Sequence, residues 1–185
     1  GETLLEHARA LEDGVLHASM VVAGRDHRLE GKVRLTAPPE LLPLVMPALH
    51  AFRAVAPRVH VHVDAADAVR DLGRREADLA LRAGGEPPDD AIARALAPVS
   101  WGVYRMPRTP PDQWVLYAPD VAPAAVQRQL LGAAEPAVMV QSVSGAAMAI
   151  QAGLGAGVLP CFAAPPGATL LGERIRNGKV WLLVH

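Results

Sequence analysis

Between residues 31 and 84 short strand patterns alternate with helical ones, and this rhythm leaves few folds open. Gly31-Lys-Val-Arg-Leu-Thr36 reads as a strand that ends against Ala37-Pro38-Pro39. Leu41 to Val55 is an apolar helix pattern stopped by Pro57. Val59-His-Val-His-Val63 alternates apolar and polar, a polar helix pattern fills 67–76, and Asp78-Leu-Ala-Leu-Arg82 closes against Gly84-Gly85. Such strand–helix–strand–helix–strand order predicts a parallel sheet with crossover helices. Right-handed crossovers leave the strand carboxyl ends on one edge, where ligands bind in such sheets. Recognition is therefore expected near Thr36 and Arg82.

Several details qualify this stretch. Pro43 and Pro47 stand four apart, and proline is tolerated only in a first turn, so the regular helix is expected from near Pro47. His60 and His62 share one strand face, but no Cys, Asp or Glu stands nearby in a metal-ligand pattern. An exposed or interface-facing strand side is the simpler reading. In 67–76 only Ala68, Val69 and Leu72 form an apolar stripe, which suits an edge helix or a subunit contact.

Upstream, Leu4, Ala8, Leu11, Val15, Ala18 and Val22 alternate spacings of four and three, a coiled-coil seam within a helix over 2–23. That helix either packs on its own domain or projects for dimerisation. The narrow stripe, opposed by Glu6, Arg9, Glu12 and Asp13, favours dimerisation.

Downstream, Ala93 to Tyr104 is one long extended segment, longer than an ordinary strand and suited to cross between lobes. The rhythm then restarts. Trp114 to Tyr117 is a strand, Ala124 to Leu131 a helix, Ala137 to Val140 a strand, Ser142 to Leu154 a small-residue helix, and Gly155 to Leu159 a strand cut by Pro160. The tail carries Thr169-Leu-Leu171, a turn at Asn177-Gly178 and a strand Val180 to Val184 expected to return to the first lobe. The fold expected is α/β, two Rossmann-like lobes joined by crossing strands and preceded by a linker helix. Residues 1–30 form the helix, 31–99 with 168–185 the first lobe, and 100–167 the second.

Composition narrows the function. The chain of 185 residues is 51% hydrophobic, enough for one ordinary domain or two small ones. Lys+Arg 18 against Asp+Glu 19 argues against a dedicated nucleic-acid surface. Cys161 is the single cysteine, which rules out an internal disulfide and fits a reducing compartment. No run is apolar and long enough to span a bilayer, and no basic-then-apolar leader opens the chain. A cytoplasmic protein without a membrane partner is expected.

Catalysis lacks its parts. Ser144 sits in Val-Ser-Gly, outside a nucleophile elbow. Gly153-Leu-Gly-Ala-Gly157 precedes a strand, where a dinucleotide fingerprint would follow one. Asp89 and Asp90 stand in a Pro-rich turn. Cys161 follows Pro160 without a basic sequence neighbour, so an inert buried thiol is favoured over a redox sensor. No catalytic residue, metal or cofactor is expected.

With these pieces placed, the chain resembles the effector-binding region of LysR-type transcriptional regulators. The resemblance rests on Gly31-Lys-Val-Arg-Leu-Thr-Ala-Pro38, Leu49-x-x-Phe52-x-x-x-x-Pro57 and Asp78-Leu-Ala-Leu-Arg82. It continues through Ala93-Arg-Ala-Leu96, Trp101-Gly-Val-Tyr104, Ala152-Gly-Leu-Gly-Ala-Gly-Val-Leu-Pro160 and Val180-Trp-Leu-Leu-Val-His185. It covers nearly the whole chain, and order and spacing carry it more than any one motif. It implies a periplasmic-binding-protein type II-like fold with a small-molecule effector in a cleft between lobes. It also implies homodimers through the linker helices and first lobes, and tetramers in the full-length protein. DNA is reached only through a winged helix-turn-helix head, which the family carries ahead of the linker helix and this sequence does not contain. The family's last helix, after His185, is likewise not in the sequence. A periplasmic solute-binding protein shares the fold and is the alternative, though it has no use for a dimerising helix.

The expected effector walls are Thr36, Ala37, Pro38 and Glu40 on one side, and Ser142, Ser144 and Gly145 on the other, with Arg82 at the rim. The helix opened by Ser142 favours an anion by about 0.3–1 kcal/mol. Arg82 adds roughly 1.5–3 kcal/mol toward a carboxylate. Glu40 opposes a second negative charge, so the effector is expected to be a monocarboxylate or a polar neutral molecule. The alternative is that Arg82 pairs with an acid such as Glu40 and the serines only cap the helix.

The seam at Leu4, Leu11 and Val15 predicts a dimer or larger species in solution. Light scattering at tens of micromolar, compared with a chain starting at Gly31, checks this; a monomeric full chain would contradict it.

Overall fold

The computed structural model describes residues 29–65, 77–87 and 92–184. The helices expected at 2–23 and 67–76 lie outside the described residues. In chain order the described elements are β1 (Glu30–Ala37), α1 (Leu42–Val55), β2 (Arg58–Ala65), β3 (Leu79–Gly84) and β4 (Ile92–Arg105). Then come β5 (Trp114–Tyr117), α2 (Pro123–Leu131), β6 (Val138–Val140), α3 (Val143–Gln151), β7 (Ala156–Pro160) and β8 (Thr169–Val184). The expected α/β class is what forms. The chain divides into two compact units, Gly1–Pro98 with Gly178–His185, and Val99–Asn177. β4 and β8 therefore each begin in one unit and end in the other.

In the first unit the strand order is β2-β1-β3-β8. β1 and β2 run parallel from Glu30 opposite Arg58 to Ala37 opposite Ala65. β3 joins β1 in parallel at Leu35–Leu79 and Thr36–Ala80, and β8 closes antiparallel on β3. Strand alternation sends Val33, Val59 and Val61 to one face, where they pack with Phe52 and Ala56. α1 buries Leu44, Val45, Ala48 and Phe52, a helical stripe on that face.

Pro47 departs from expectation. α1 begins at Leu42, so Pro47 lies inside the helix. There it lacks the N–H that would bond to the carbonyl of residue 43, a loss of about 3 kcal/mol in a free helix. Burial of Leu44 and Val45, worth roughly 1.5–3 kcal/mol each, offsets it.

The turn expected at Asn177-Gly178 is also absent, because β8 is continuous across it. Gly178 has φ +83, and a Cβ there would run into the Gly84 carbonyl. The glycine serves a close approach of β8 to β3, not a chain reversal.

In the second unit the order is β4-β7-β5-β6. β5 lies parallel to both β6 and β7, while β4 is antiparallel to β7. α2 turns Ala124, Val126 and Gln127 inward, and α3 turns Val143, Ala146, Ala149 and Ile150 inward. Tyr117 and Gln127 are paired where they are buried: Tyr117 N–H donates to Gln127 Oε1 at 2.8 Å, and Tyr117 O–H to the Val158 carbonyl at 3.0 Å. The run Gly153-Leu-Gly-Ala-Gly157 has a packing cause. A Cβ on Gly155 would stand 2.9 Å from Trp114 backbone, and one on Gly157 would stand 2.8 Å from the Val115 carbonyl. At Gly155 and Gly157 the chain approaches β5 too closely for a side chain.

Gly157→Ala is accordingly predicted to lower stability by about 1–3 kcal/mol through overpacking. Urea denaturation checks this; an unchanged midpoint would refute the close-approach account.

Candidate functional site

The first unit presents its strand ends around Thr36. Thr36 is 1% exposed and Ala37 fully buried. β1 stops at Pro38, and Pro39–Leu41 form a 3-10 turn closed by Leu41 N–H to the Pro38 carbonyl at 3.0 Å. Glu40 sits in that turn, half-buried. From β3, half-buried Arg82 donates Nη2 to Thr36 Oγ1 at 3.2 Å and Nη1 to the Leu81 carbonyl at 2.7 Å. A hydroxyl that accepts this bond keeps its own proton for donation. A cation and a donor thus stand together at the carboxyl ends of two parallel strands.

The second unit presents the start of α3. Ser142 caps it from an extended conformation, φ −143 and ψ 157, and its Oγ accepts from Gly145 N–H at 3.0 Å. This bond commits the Gly145 N–H to the cap. A Cβ on Gly145 would stand 3.1 Å from Ser142 Oγ, so glycine leaves the cap room to close. Ser144 is half-buried. Thr36, Ala37, Pro38, Glu40 and Arg82 thus fall in the first unit, and Ser142, Ser144 and Gly145 in the second.

Residues 26–183 match the model of the LysR substrate binding domain. The chain belongs to this family. Among solved structures, the effector domain of the transcriptional regulator AmpR of Pseudomonas aeruginosa is similar at 16% identity and TM-score 0.68, covering 84% of this chain and 85% of that one. CrgA, a LysR-type transcriptional regulator from Neisseria meningitidis, is similar at 16% identity and TM-score 0.71, covering 96% and 69%. The Vibrio cholerae virulence activator AphB is similar at 16% identity and TM-score 0.64, covering 93% and 68%. At these identities the likeness concerns the fold. No curated protein sequence matches the chain. No helix among the described residues is long and apolar enough to cross a membrane.

Elsewhere in this LysR-family chain the alternating face of β2 lies exposed, as its pattern leads one to expect. His60 and His62 are exposed and stand in register with Lys32 and Arg34, cations that oppose a metal ion there. Among the described residues, no three or more His, Cys, Asp and Glu gather in a metal-holding group.

Two clusters leave no trace in the sequence pattern. Trp181 pairs with Arg82 across β3 and β8, and its Nε1–H donates to the Gly85 carbonyl at 2.6 Å. Lys179 Nζ stands 5.0 Å from the centre of the Trp181 ring. In the second unit Tyr104 is buried, and its hydroxyl is hydrogen-bonded with Cys161, which is half-buried rather than fully enclosed. Strand register and the reach of β8 decide both clusters, and neither has a local signature.

Burial, then the Cys161 contact, pushes the Tyr104 phenol up from 10.0 to about 12, against the opposing pull of Arg174. The folded state thus favours the neutral phenol. Its stabilising contribution is full below pH 10 and is lost as pH rises toward about 12. Tyr104→Phe is predicted to flatten the fall of the urea midpoint above pH 10; an unchanged slope would contradict it.

Proposed function

We propose that this chain is the effector-sensing domain of a LysR-type transcription factor, binding a small organic molecule through its strand ends. The observation that carries the reading is Arg82 held 3.2 Å from Thr36 at the carboxyl ends of β1 and β3. Thr36, Ala37, Pro38 and Glu40 contribute the contacts of the first unit. Ser142 and Ser144 contribute those of the second through their hydroxyls, and Gly145, its N–H held in the cap, leaves room beside them. A carboxylate gains a charge-assisted bond from Arg82 and a second from Thr36. Glu40 selects against a second negative charge.

The proposal extends to assembly. Residues 1–30 act as the linker and dimerisation helix, and the response is relayed to DNA through a separate winged helix-turn-helix head in a cytoplasmic homo-oligomer. The effector works as a switch only by favouring one arrangement of the protein over another, since equal affinity shifts nothing. The regulators among the structural neighbours weigh against both a transport receptor and an enzyme.

The test is a ligand-induced thermal shift with a screen of small carboxylates and amides, on the natural chain, Arg82→Ala and Ser144→Trp. Arg82→Ala is expected to weaken binding of an acid hit by about 1.5–3 kcal/mol. Ser144→Trp is expected to abolish the shift. Unchanged shifts in both variants would place the site elsewhere.

A further inference from the structure

We propose that the binding surface of the first unit continues from Arg82 onto β8, where Trp181 forms an aromatic platform, so that the effector is a planar aromatic monoacid. This rests on the effector function proposed for the chain and adds the chemical class.

The argument begins with register. Arg82 and Trp181 are directly opposed across the antiparallel pair β3 and β8. Opposed side chains share a sheet face, with Cβ atoms about 4.5–5.5 Å apart. Thr36 lies on that face too, because Arg82 reaches its hydroxyl. Lys179, two residues before Trp181, joins them by strand alternation.

On the face of Trp181, Leu183 is 3% exposed while Lys179 on its other side is exposed, so the indole stands where that face opens. Val180 and Leu182 on β8 are 5% and 3% exposed and fill the face that α1 covers. Trp181 points to the other face and remains half-buried. Its indole is nevertheless held in one orientation by the bond to the Gly85 carbonyl. One ring face meets Lys179 at 5.0 Å, a cation–π distance. The Lys179–Glu86 pair, 3.9 Å apart and well exposed, holds that lysine only weakly.

A fixed, partly open aromatic ring beside a guanidinium and a buried hydroxyl is a matched set. Binding surfaces of this kind combine aromatic area with a few placed polar groups. An acid group goes to Arg82 and Thr36, and a flat ring lies offset on the indole. Lys179 adds positive potential, whereas Glu40 and Glu86 disfavour a dianion.

The experiment compares phenylacetate with cyclohexylacetate, equal in charge and close in size, by calorimetry and by the indole N–H resonances of the three tryptophans. Phenylacetate is expected to bind about 3- to 10-fold tighter. Trp181→Leu is expected to bring the ratio to about one by weakening phenylacetate alone, while Trp181→Phe keeps the preference. In the natural chain phenylacetate should move the Trp181 indole signal more than that of Trp114, a readout that needs no leucine variant to fold. Equal affinity for the two acids, or a ratio that survives Trp181→Leu, overturns the aromatic platform. If both acids bind equally and both are lost in Arg82→Ala, the platform fails and the effector function stands. If neither acid perturbs the protein at tens of millimolar, both fail.

Discussion

The first unit depends on how β3 is pinned to β1. The two strands share only two register pairs, Leu35–Leu79 and Thr36–Ala80, so side chains must finish the junction. At one end the Arg34 N–H donates to Asp78 Oδ2 at 2.7 Å, and the Asp78 N–H to the Arg34 carbonyl at 3.0 Å. At the other, Arg82 donates to Thr36 Oγ1. The charged residue that completes the sheet is thereby delivered to the strand ends. β8, zipped onto β3 from Val184 to Lys179, brings Trp181 beside it. Structural closure and the proposed recognition surface share the same few atoms.

Much of this is legible in the sequence. β5 is expected at Trp114 to Tyr117 and forms there, and the helix expected from Ser142 forms, although its cap is Ser142 where entry through Ser144 is expected. These elements are short, bounded by proline or glycine, and apolar with one clear period, so local preference and tertiary burial agree. Departures arise where tertiary packing overrides a local signal. Pro47 is carried inside α1 because the buried stripe of that helix outweighs one missing bond. Asn177-Gly178 carries a hairpin signature, yet the glycine's φ of +83 is used where β8 passes Gly84.

The candidate site divides the same way. Thr36 and Arg82 are visible because both end strand patterns, and parallel strands end on one edge. Trp181 is not, since its place beside Arg82 depends on an antiparallel register across nearly a hundred residues of chain. The glycine run at 153–157 shows the converse. It supports a family resemblance as a string of letters, and its cause is the near-contact of β7 with β5 backbone. Membership of the LysR substrate-binding family over residues 26–183 thus has a physical basis in backbone spacing as well as in pattern.

The central claim is that Arg82, seated on Thr36, anchors an acidic small molecule. Native mass spectrometry of freshly purified protein tests it most directly, because a retained effector appears as a mass shift whatever its chemical identity. The account predicts a small acidic adduct on the natural chain that is missing from Arg82→Ala. The same adduct at the same occupancy on both proteins would contradict it.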